Sequence, residues 1–502
     1  MQNAIAAPTQ SGADPTKAME RTAQHIALAA IVGLTLVRIV LALFDRTELS
    51  TDEAQYWFWG QTFEFGAYSK PPLIGWILRV STDLLGQSVA AVRLPAPLFH
   101  GGAALVLFYA SLRLAPPQVA LLAALSYLTL PAVALGSAVM TTDTPMLFAA
   151  ALALLAQIAL ADARISGNRA TGWAVPFGLG LGAGLLAKHA MLFWFAGAGL
   201  AACVSPRFRP RAGDALLAVG IMVAMIVPHV LWLARNDFVT LHHVQDITRG
   251  HALSATRPLA FVAEQFAVMG PVLFAALLIA LTRVRRGAWS VGLAALALVP
   301  LAVVVGQGIK GPVLANWAAL YLLPGAVLAA VWLHRHRRLA MISIGLGLAI
   351  SLVLPVVKVF GPDLPGPKTA SLLARYLGHS ETALWALSAA QTAKAHTLIA
   401  QDRSLMADLS WFGAMTDTAL TLRAAPPKGR PNHHWEAMAA FDHGSDPGPV
   451  VLIWPTDQPP PCAAATEVSR FTAPPGVYRG RPFTLWRLDQ ADCLATRVFP
   501  DE

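Results

Sequence analysis

Apolar runs of roughly 17–22 residues, the length needed to cross the hydrocarbon core as a helix, recur along most of this chain. About eleven can be placed, near 26–44, 94–112, 118–136, 145–162, 172–188, 189–204, 215–233, 264–282, 289–306, 318–333 and 339–360. The 172–204 stretch has Lys188-His189 as its only polar break. Between the first two runs lies a long segment, 45–93, that is not purely polar. Within it Ile74, Trp76, Ile77, Val80 and Leu84-Leu85 recur at helical spacing after Pro72, which predicts a short amphipathic helix lying in the interface.

From residue 361 the pattern changes. Charges and prolines rise, and apolar runs shorten to strand length, as in Val450-Val451-Leu452-Ile453-Trp454. This predicts a small α/β domain over about 365–502, with helices near 367–400 and turns at the Pro-rich patches 426–431 and 455–461. The expected fold is mainly α: a polytopic transmembrane bundle over 25–362, interfacial outer helices within 45–93, and the C-terminal domain. The first 24 residues, polar and rich in small residues, read as a cytoplasmic tail.

Composition agrees with a membrane protein. Of 502 residues, 56% are hydrophobic and 13% charged, and mean hydropathy is +0.54; a soluble chain of this size needs more charge to cover its surface. The net charge of +9 does not imply nucleic acid, because the basic residues gather in alternate short loops, at 113–117, 162–169, 207–211, 283–286 and 334–338. The positive-inside rule places these in the cytoplasm. The loop with Asp52, the turn with Asp143, Lys188-His189, the loops 234–263 and 307–317, and the C-terminal domain then share the outer face. Cys203 lies in an apolar run, whereas Cys462 and Cys493 share the C-terminal region and can either pair, if it faces an oxidising compartment, or stay free.

The outer face holds the candidate chemistry. Ser50-Thr51-Asp52 can open a helix as a cap, or Asp52 can act as a general base toward an acceptor hydroxyl, with Glu53 beside it. Asp143, just before Thr144-Pro145, reads either as a helix start or as a second acidic site. Lys70 precedes Pro71-Pro72; it either snorkels to headgroups or presents a point charge to a phosphate. Arg93 and Lys188-His189 are further outer-face cations, against the usual bias. His242-His243, Asp246, Arg249 and His251 crowd the loop 234–263 with no metal-type spacing, and read as a phosphate or substrate loop. Trp317, after Asn316, reads as an interface anchor. No Gly-rich phosphate cradle follows a strand, so no nucleotide-sugar or ATP site is expected. No charge recurs at the midplane of several spans, as a proton-coupled transporter needs.

In this order along 45–320, several motifs resemble the C-type polytopic glycosyltransferases that use polyprenyl-phosphate sugars. They are Leu49-Ser50-Thr51-Asp52-Glu53-Ala54-Gln55-Tyr56-Trp57, Tyr68-Ser69-Lys70-Pro71-Pro72-Leu73-Ile74, Ala91-Val92-Arg93-Leu94-Pro95, Thr142-Asp143-Thr144-Pro145, Ala187-Lys188-His189-Ala190 and Ala315-Asn316-Trp317-Ala318. The bacterial branch related to protein O-mannosyltransferases and to the lipid A aminoarabinose transferase is the nearest. The resemblance implies a multi-pass inner-membrane enzyme with its C-terminal domain outside. It would invert the anomeric centre while moving a sugar from a polyprenyl-phosphate donor to lipid A, another envelope glycolipid or a polysaccharide.

By that resemblance Asp52 is the catalytic base, with Glu53 and Asp143 in the acidic set. Lys70 with Arg93 or Arg249 binds the donor phosphate, and Tyr56, Lys188, His189 and Asn316 line the substrate cavity. In the aminoarabinose transferases an acidic residue before this lysine can bind a metal; here it is Ser69, and no metal or other cofactor is expected. Alternatives are a protein O-glycosyltransferase, a sugar-lipid transporter without bond chemistry, and an assembly protein whose outer domain binds glycan.

Overall fold

The computed structural model describes residues 15–489, apart from 249, 286–287, 364–370, 417, 428, 443, 447, 457–459, 461 and 463–464. Seven helices among them are long and apolar enough to cross a membrane: Ala18–Leu43, Val89–Leu112, Asp143–Ile165, Ala212–Arg235, Trp289–Lys310, Ala315–Leu333 and Arg337–Asp363. The pair Thr256–Val268 and Pro271–Leu281, bent by 116°, makes an eighth if counted as one span. Pro117–Leu128, Thr171–Ala187 and Met191–Val204 are apolar but shorter.

Helix therefore forms in each of the eleven expected regions, but the count of about eleven full spans is not reached by length. The 118–136 run breaks at Thr129-Leu130, where Pro131 starts a new helix. The first helix begins at Pro15, so part of the expected tail is helical.

Small residues set how the bundle packs. In Asp143–Ile165, 72% of the apolar window is buried, against 22% in Ala18–Leu43, Ala212–Arg235 and Arg337–Asp363. The first is thus an inner helix, and the other three keep most of their apolar surface outside the fold. A Cβ on Gly180 would press on the Ala149 carbonyl and Ala153, so the Ala174–Ala187 and Asp143–Ile165 helices meet backbone to backbone.

The 45–93 segment starts with a capping box. Ser50 Oγ accepts from the Glu53 N–H, and Glu53 Oε2 accepts from the Ser50 N–H at 3.0 Å. This starts the Thr51–Gly60 helix. The amphipathic helix expected after Pro72 spans Leu73–Leu85. It crosses the Thr51–Gly60 helix where Gly60 and Gly75 leave no room for a Cβ on Gly60.

The C-terminal region is an α/β layer. Strands β1 (Thr397–Ala400), β2 (Thr421–Ala424), β3 (Val450–Trp454), β4 (Thr466–Thr472) and β5 (Pro482–Leu488) form one sheet in the order β2-β1-β3-β5-β4. β1 pairs in parallel with β2 and β3, and β5 runs antiparallel to β3 and β4. The helix expected near 367–400 is His379–Thr392, and Thr397–Ala400 is a strand. A second helix, Arg403–Met415, lies between β1 and β2. Cys462 is disulfide-bonded; Cys493, the partner the sequence left open, lies outside the described residues.

The sheet domain is not tethered at a distance. Leu49, Tyr56, Trp57, Ile74 and Leu78 share one buried apolar cluster with Leu387, Leu405, Trp411, Trp435 and Leu485. Trp57 meets Trp411 edge-on at 4.9 Å, and Tyr68 Oη donates to the Pro431 carbonyl at 2.5 Å.

Beneath this junction lies a buried charge cluster. All three Arg93 guanidinium nitrogens donate: Nε and Nη2 to Glu53 at 2.9 and 3.0 Å, Nη1 to Asp45 at 2.7 Å, and Nη2 also to the Glu48 carbonyl at 2.7 Å. Lys358 reaches Asp45 at 2.8 Å and the Ala138 carbonyl at 2.8 Å. Tyr376 lies beneath both cations, its ring centre 5.7 Å from Arg93 and 5.0 Å from Lys358. Burial alone would push the Glu53 carboxyl up, but Arg93 and the hydrogen bonds around it hold it at about 2. Asp45 is likewise held below the usual carboxylate range by Arg93 and Lys358, against the effect of burial.

Removing one member of such a cluster leaves the opposite charge buried and unpaired. Arg93→Met is expected to lower the unfolding free energy by roughly 3–5 kcal/mol, seen as a lower Tm of the purified full chain in detergent. Because folding depresses both carboxyls, their contribution is complete at neutral pH and is lost as pH falls from about 4 toward 2. A wild-type Tm for Arg93→Met would contradict the role given to the cluster.

Candidate active site

Adjacent residues on a helix point about 100° apart, so Asp52 and Glu53 cannot face the same way. Glu53 turns inward, accepting from Arg93, from Ser50 and from the Met140 N–H at 3.2 Å. Asp52 turns outward, and its side chain is 44% exposed. This corrects two expectations. Glu53 is a buried anchor, away from solvent. Arg93 has no guanidinium nitrogen left for a donor phosphate. The other proposed phosphate cation, Arg249, lies outside the described residues.

Lys70 is held by the turn that closes with the Ala67 N–H donating to the Lys70 carbonyl at 3.1 Å. Pro71-Pro72 then leads into the Leu73–Leu85 helix. Its ammonium has no hydrogen-bond or ion-pair partner among the described residues. Burial first, and then the nearby Lys188, push it down to about 8, while Asp52 and Asp143 act in the opposite sense. Lys70 therefore sits within electrostatic reach of both carboxylates.

Asp143 occupies the first turn of Asp143–Ile165. One of its oxygens accepts from Lys188 Nζ at 2.7 Å, and the other from Asn316 Nδ2 at 2.7 Å. Three residues separated by up to 173 positions thus meet at one end of the bundle. His189 continues the same edge, with its Nε2 3.0 Å from His229 Nε2. His229 Nδ1 donates to the Phe65 carbonyl at 2.8 Å, leaving its Nε2 to accept from His189. Burial, His229 and Lys70 together hold His189 down to about 4, so it is neutral at neutral pH. Tyr56 is buried on the same helix as Asp52, and its phenol is pushed up by burial and then by Asp52.

Sequence reasoning did not find two residues at this site, whereas His243 belongs to the loop it marked for phosphate or substrate. Arg403 and Arg375 come from the C-terminal region. Arg403 donates to Asp52 Oδ1, and Arg375 stands 3.8 Å from Asp52 Oδ2. His243, from the Val239–Thr248 helix, lies with its ring 4.9 Å from that of Tyr68. Burial, then Lys70 and Arg403, push its imidazole down. The one available signal for Arg403 was its place directly after Asp402, a helix N-cap.

The arrangement offers an unpaired ammonium, a half-exposed carboxylate and a second carboxylate already neutralised by a lysine. It suits an anionic substrate carrying a hydroxyl-directed reaction centre.

The profile of the dolichyl-phosphate-mannose-protein mannosyltransferase family matches residues 69–232. The lipid A galacturonosyltransferase RgtD of Rhizobium johnstonii is 34% identical over 487 residues, covering 93% of this chain and 98% of that protein. The chain belongs to this family of C-type membrane glycosyltransferases. A second member, the lipopolysaccharide core galacturonosyltransferase RgtB of the same organism, is 26% identical over 70% of this chain and 73% of its own length. The glycosyltransferase fold is also that of ArnT from Cupriavidus metallidurans, solved bound to undecaprenyl phosphate. It superposes with a TM-score of 0.61 over 94% of this chain and 99% of that one, at 16% identity. The chain is therefore a glycosyltransferase, and its relatives act on lipid A and lipopolysaccharide.

Proposed function

We propose that this glycosyltransferase moves a galacturonosyl group from a polyprenyl phosphate to lipid A or a closely related lipopolysaccharide intermediate. The reaction takes place at the periplasmic face of the inner membrane. The observation that carries the reading is the half-buried Lys70 ammonium, unpartnered among the described residues and set within reach of the half-exposed Asp52. RgtD supplies the sugar and acceptor class, and the lipid phosphate bound by ArnT supplies the donor class.

The chemistry follows from the charges. The donor's phosphodiester sits against Lys70, its lipid tail remaining in the bilayer. As the bond from the anomeric carbon to the phosphate oxygen breaks, the electron pair leaves with the polyprenyl phosphate. The Lys70 ammonium stabilises that growing charge. The acceptor oxygen attacks the anomeric carbon from the opposite face, and its proton passes to Asp52. The configuration inverts. Asp143, fixed by Lys188 and Asn316, shapes the acceptor side. The clustering of these groups at one end of the bundle favours this over transport, which calls for a midplane site.

Asp52→Asn keeps the size of the side chain and removes the base. It is expected to cut transfer by about 10²–10⁴-fold, with the variant still inserted and monodisperse. The measurement is mass spectrometry of the acceptor after incubation of the purified chain with lipid donor, and turnover near wild type would remove the mechanism.

Lys70 binds phosphate only as the ammonium, and its value of about 8 sets the pH window. Affinity for polyprenyl phosphate is expected to be full below that value and to fall as pH rises through it. In Lys70→Arg the guanidinium stays charged, so affinity should be flat between about pH 7 and 9. Identical profiles for the two proteins would exclude Lys70 from the phosphate site.

A further inference from the structure

One Asp52 oxygen accepts from Arg403 and the other lies 3.8 Å from Arg375, so the proposed base is engaged by two cations of the sheet domain. The Asp402 carboxylate accepts from the Ser404 and Leu405 N–H groups at 2.6 and 3.1 Å. That cap starts the Arg403–Met415 helix and fixes Arg403 at its first position. From there the side chain leaves its own domain. Its Nε donates to Gln55 Oε1 at 2.5 Å, and its Nη2 donates to Asp52. Nη1 has no partner among the described residues. Arg375 lies over the Tyr376 ring at 5.5 Å, with its Nη2 3.8 Å from Asp52. Both arginines are well exposed, at 41% and 64%. A pair so open to solvent contributes little to stability, so a purely structural role leaves the arrangement unexplained.

The charge balance at the site points to a ligand. Among the described residues, Lys70, Lys188, Arg375 and Arg403 bring four positive charges around two carboxylates, Asp52 and Asp143. A neutral hexose on a polyprenyl phosphate carries one negative charge, at the phosphodiester. A hexuronate donor carries a second, on the sugar itself, which matches the excess.

We propose that Arg403, assisted by Arg375, is the specificity-determining residue that binds the carboxylate of the donor sugar, displacing Asp52 and freeing it to take the acceptor proton. The proposal rests on the glycosyltransferase reading above. The exchange replaces one carboxylate on a guanidinium by another of the same charge and planar geometry. The ion-pair energy is therefore largely conserved. A neutral hexose offers no such replacement: it leaves Asp52 paired, and the site discriminates through the base as well as through binding. The sheet domain thus serves as a sensor of the sugar, which accounts for its sharing a core with the helix that bears Asp52.

The test uses the purified full chain in lipid nanodiscs with lipid A as acceptor. Two polyprenyl-phosphate donors are compared, one bearing galacturonic acid and one bearing galactose, with product quantified by mass spectrometry. Wild type is expected to favour the uronate. Arg403→Gln is expected to lower the uronate-over-galactose ratio of kcat/KM by about 10- to 100-fold, the usual effect of losing a charged hydrogen-bond partner. Arg403→Lys should recover part of that ratio. Arg375→Gln, further from Asp52, should lower it less, and it serves if Arg403→Gln does not fold. An unchanged ratio, or an equal loss on both donors, would overturn the proposal while leaving the glycosyltransferase reading intact. No transfer by wild type from either donor would overturn that reading itself.

Discussion

The interaction on which this structure depends is the burial of Arg93 among Glu53, Asp45 and the Glu48 carbonyl, with Lys358 closing the cluster from the last span. It joins the end of the first helix, the start of the Thr51–Gly60 helix, the turn before Asp143 and the entry to the sheet domain. Replacing a buried ionic cluster by apolar residues is often neutral or stabilising, so stability alone does not explain its presence here. What the cluster supplies is register. With Glu53 pinned to Arg93, the helix has one allowed rotation, and that rotation turns Asp52 outward toward Lys70 and the arginines of the sheet domain. Glu48 extends the same register. Its carboxylate accepts from the His379 and Ser380 N–H groups at 2.9 and 2.8 Å, capping the first helix of the sheet domain.

The site is consequently a product of long-range assembly. Asp52 and Lys70 come from the 45–93 segment, Asp143 and Lys188 from the starts and ends of inner helices, Asn316 from a later loop, and Arg403 from the sheet domain. Each group is held on or beside a packed element: a capping box, a proline pair, a helix N-terminus, an Asp N-cap. Small residues allow the helices beneath to approach closely, and the shared apolar cluster around Trp57 and Trp411 keeps the upper layer in place. Such rigidity is what an electrostatic mechanism requires, since charges placed in advance need no reorganisation as the bond breaks.

Much of this was legible in the sequence. Long apolar periodicity marked every membrane helix region, and the turn-bounded run Val450–Trp454 marked a central strand. The adjacency of Lys70 to two prolines, and the placement of Asp143, Lys188 and Asn316 on one face by charge bias, brought out residues that do meet in space. What was not legible has physical reasons. A carboxylate pair such as Asp52-Glu53 does not by its adjacency show which member faces the core; the Ser50-to-Glu53 capping-box spacing is the one local sign. Arg93 reads as an outer cation, yet its partner Asp45 is 48 positions away, and Lys358, which shares Asp45 with it, is hidden in an apolar run. Arg403 lies in a region with no motif, and only tertiary docking brings it to Asp52. Span length also misled: the 118–136 run is long enough to cross, but Pro131 divides it.

The most direct test of the central claim is a structure of the full chain in lipid nanodiscs with a non-hydrolysable polyprenyl-phosphate galacturonic acid analogue bound. The phosphate is expected within hydrogen-bond distance of Lys70 Nζ, with Asp52 on the face of the sugar ring opposite the leaving oxygen and Arg93 still enclosed by Glu53 and Asp45. A phosphate bound away from Lys70, or by an Arg93 released from its cluster, would contradict the account.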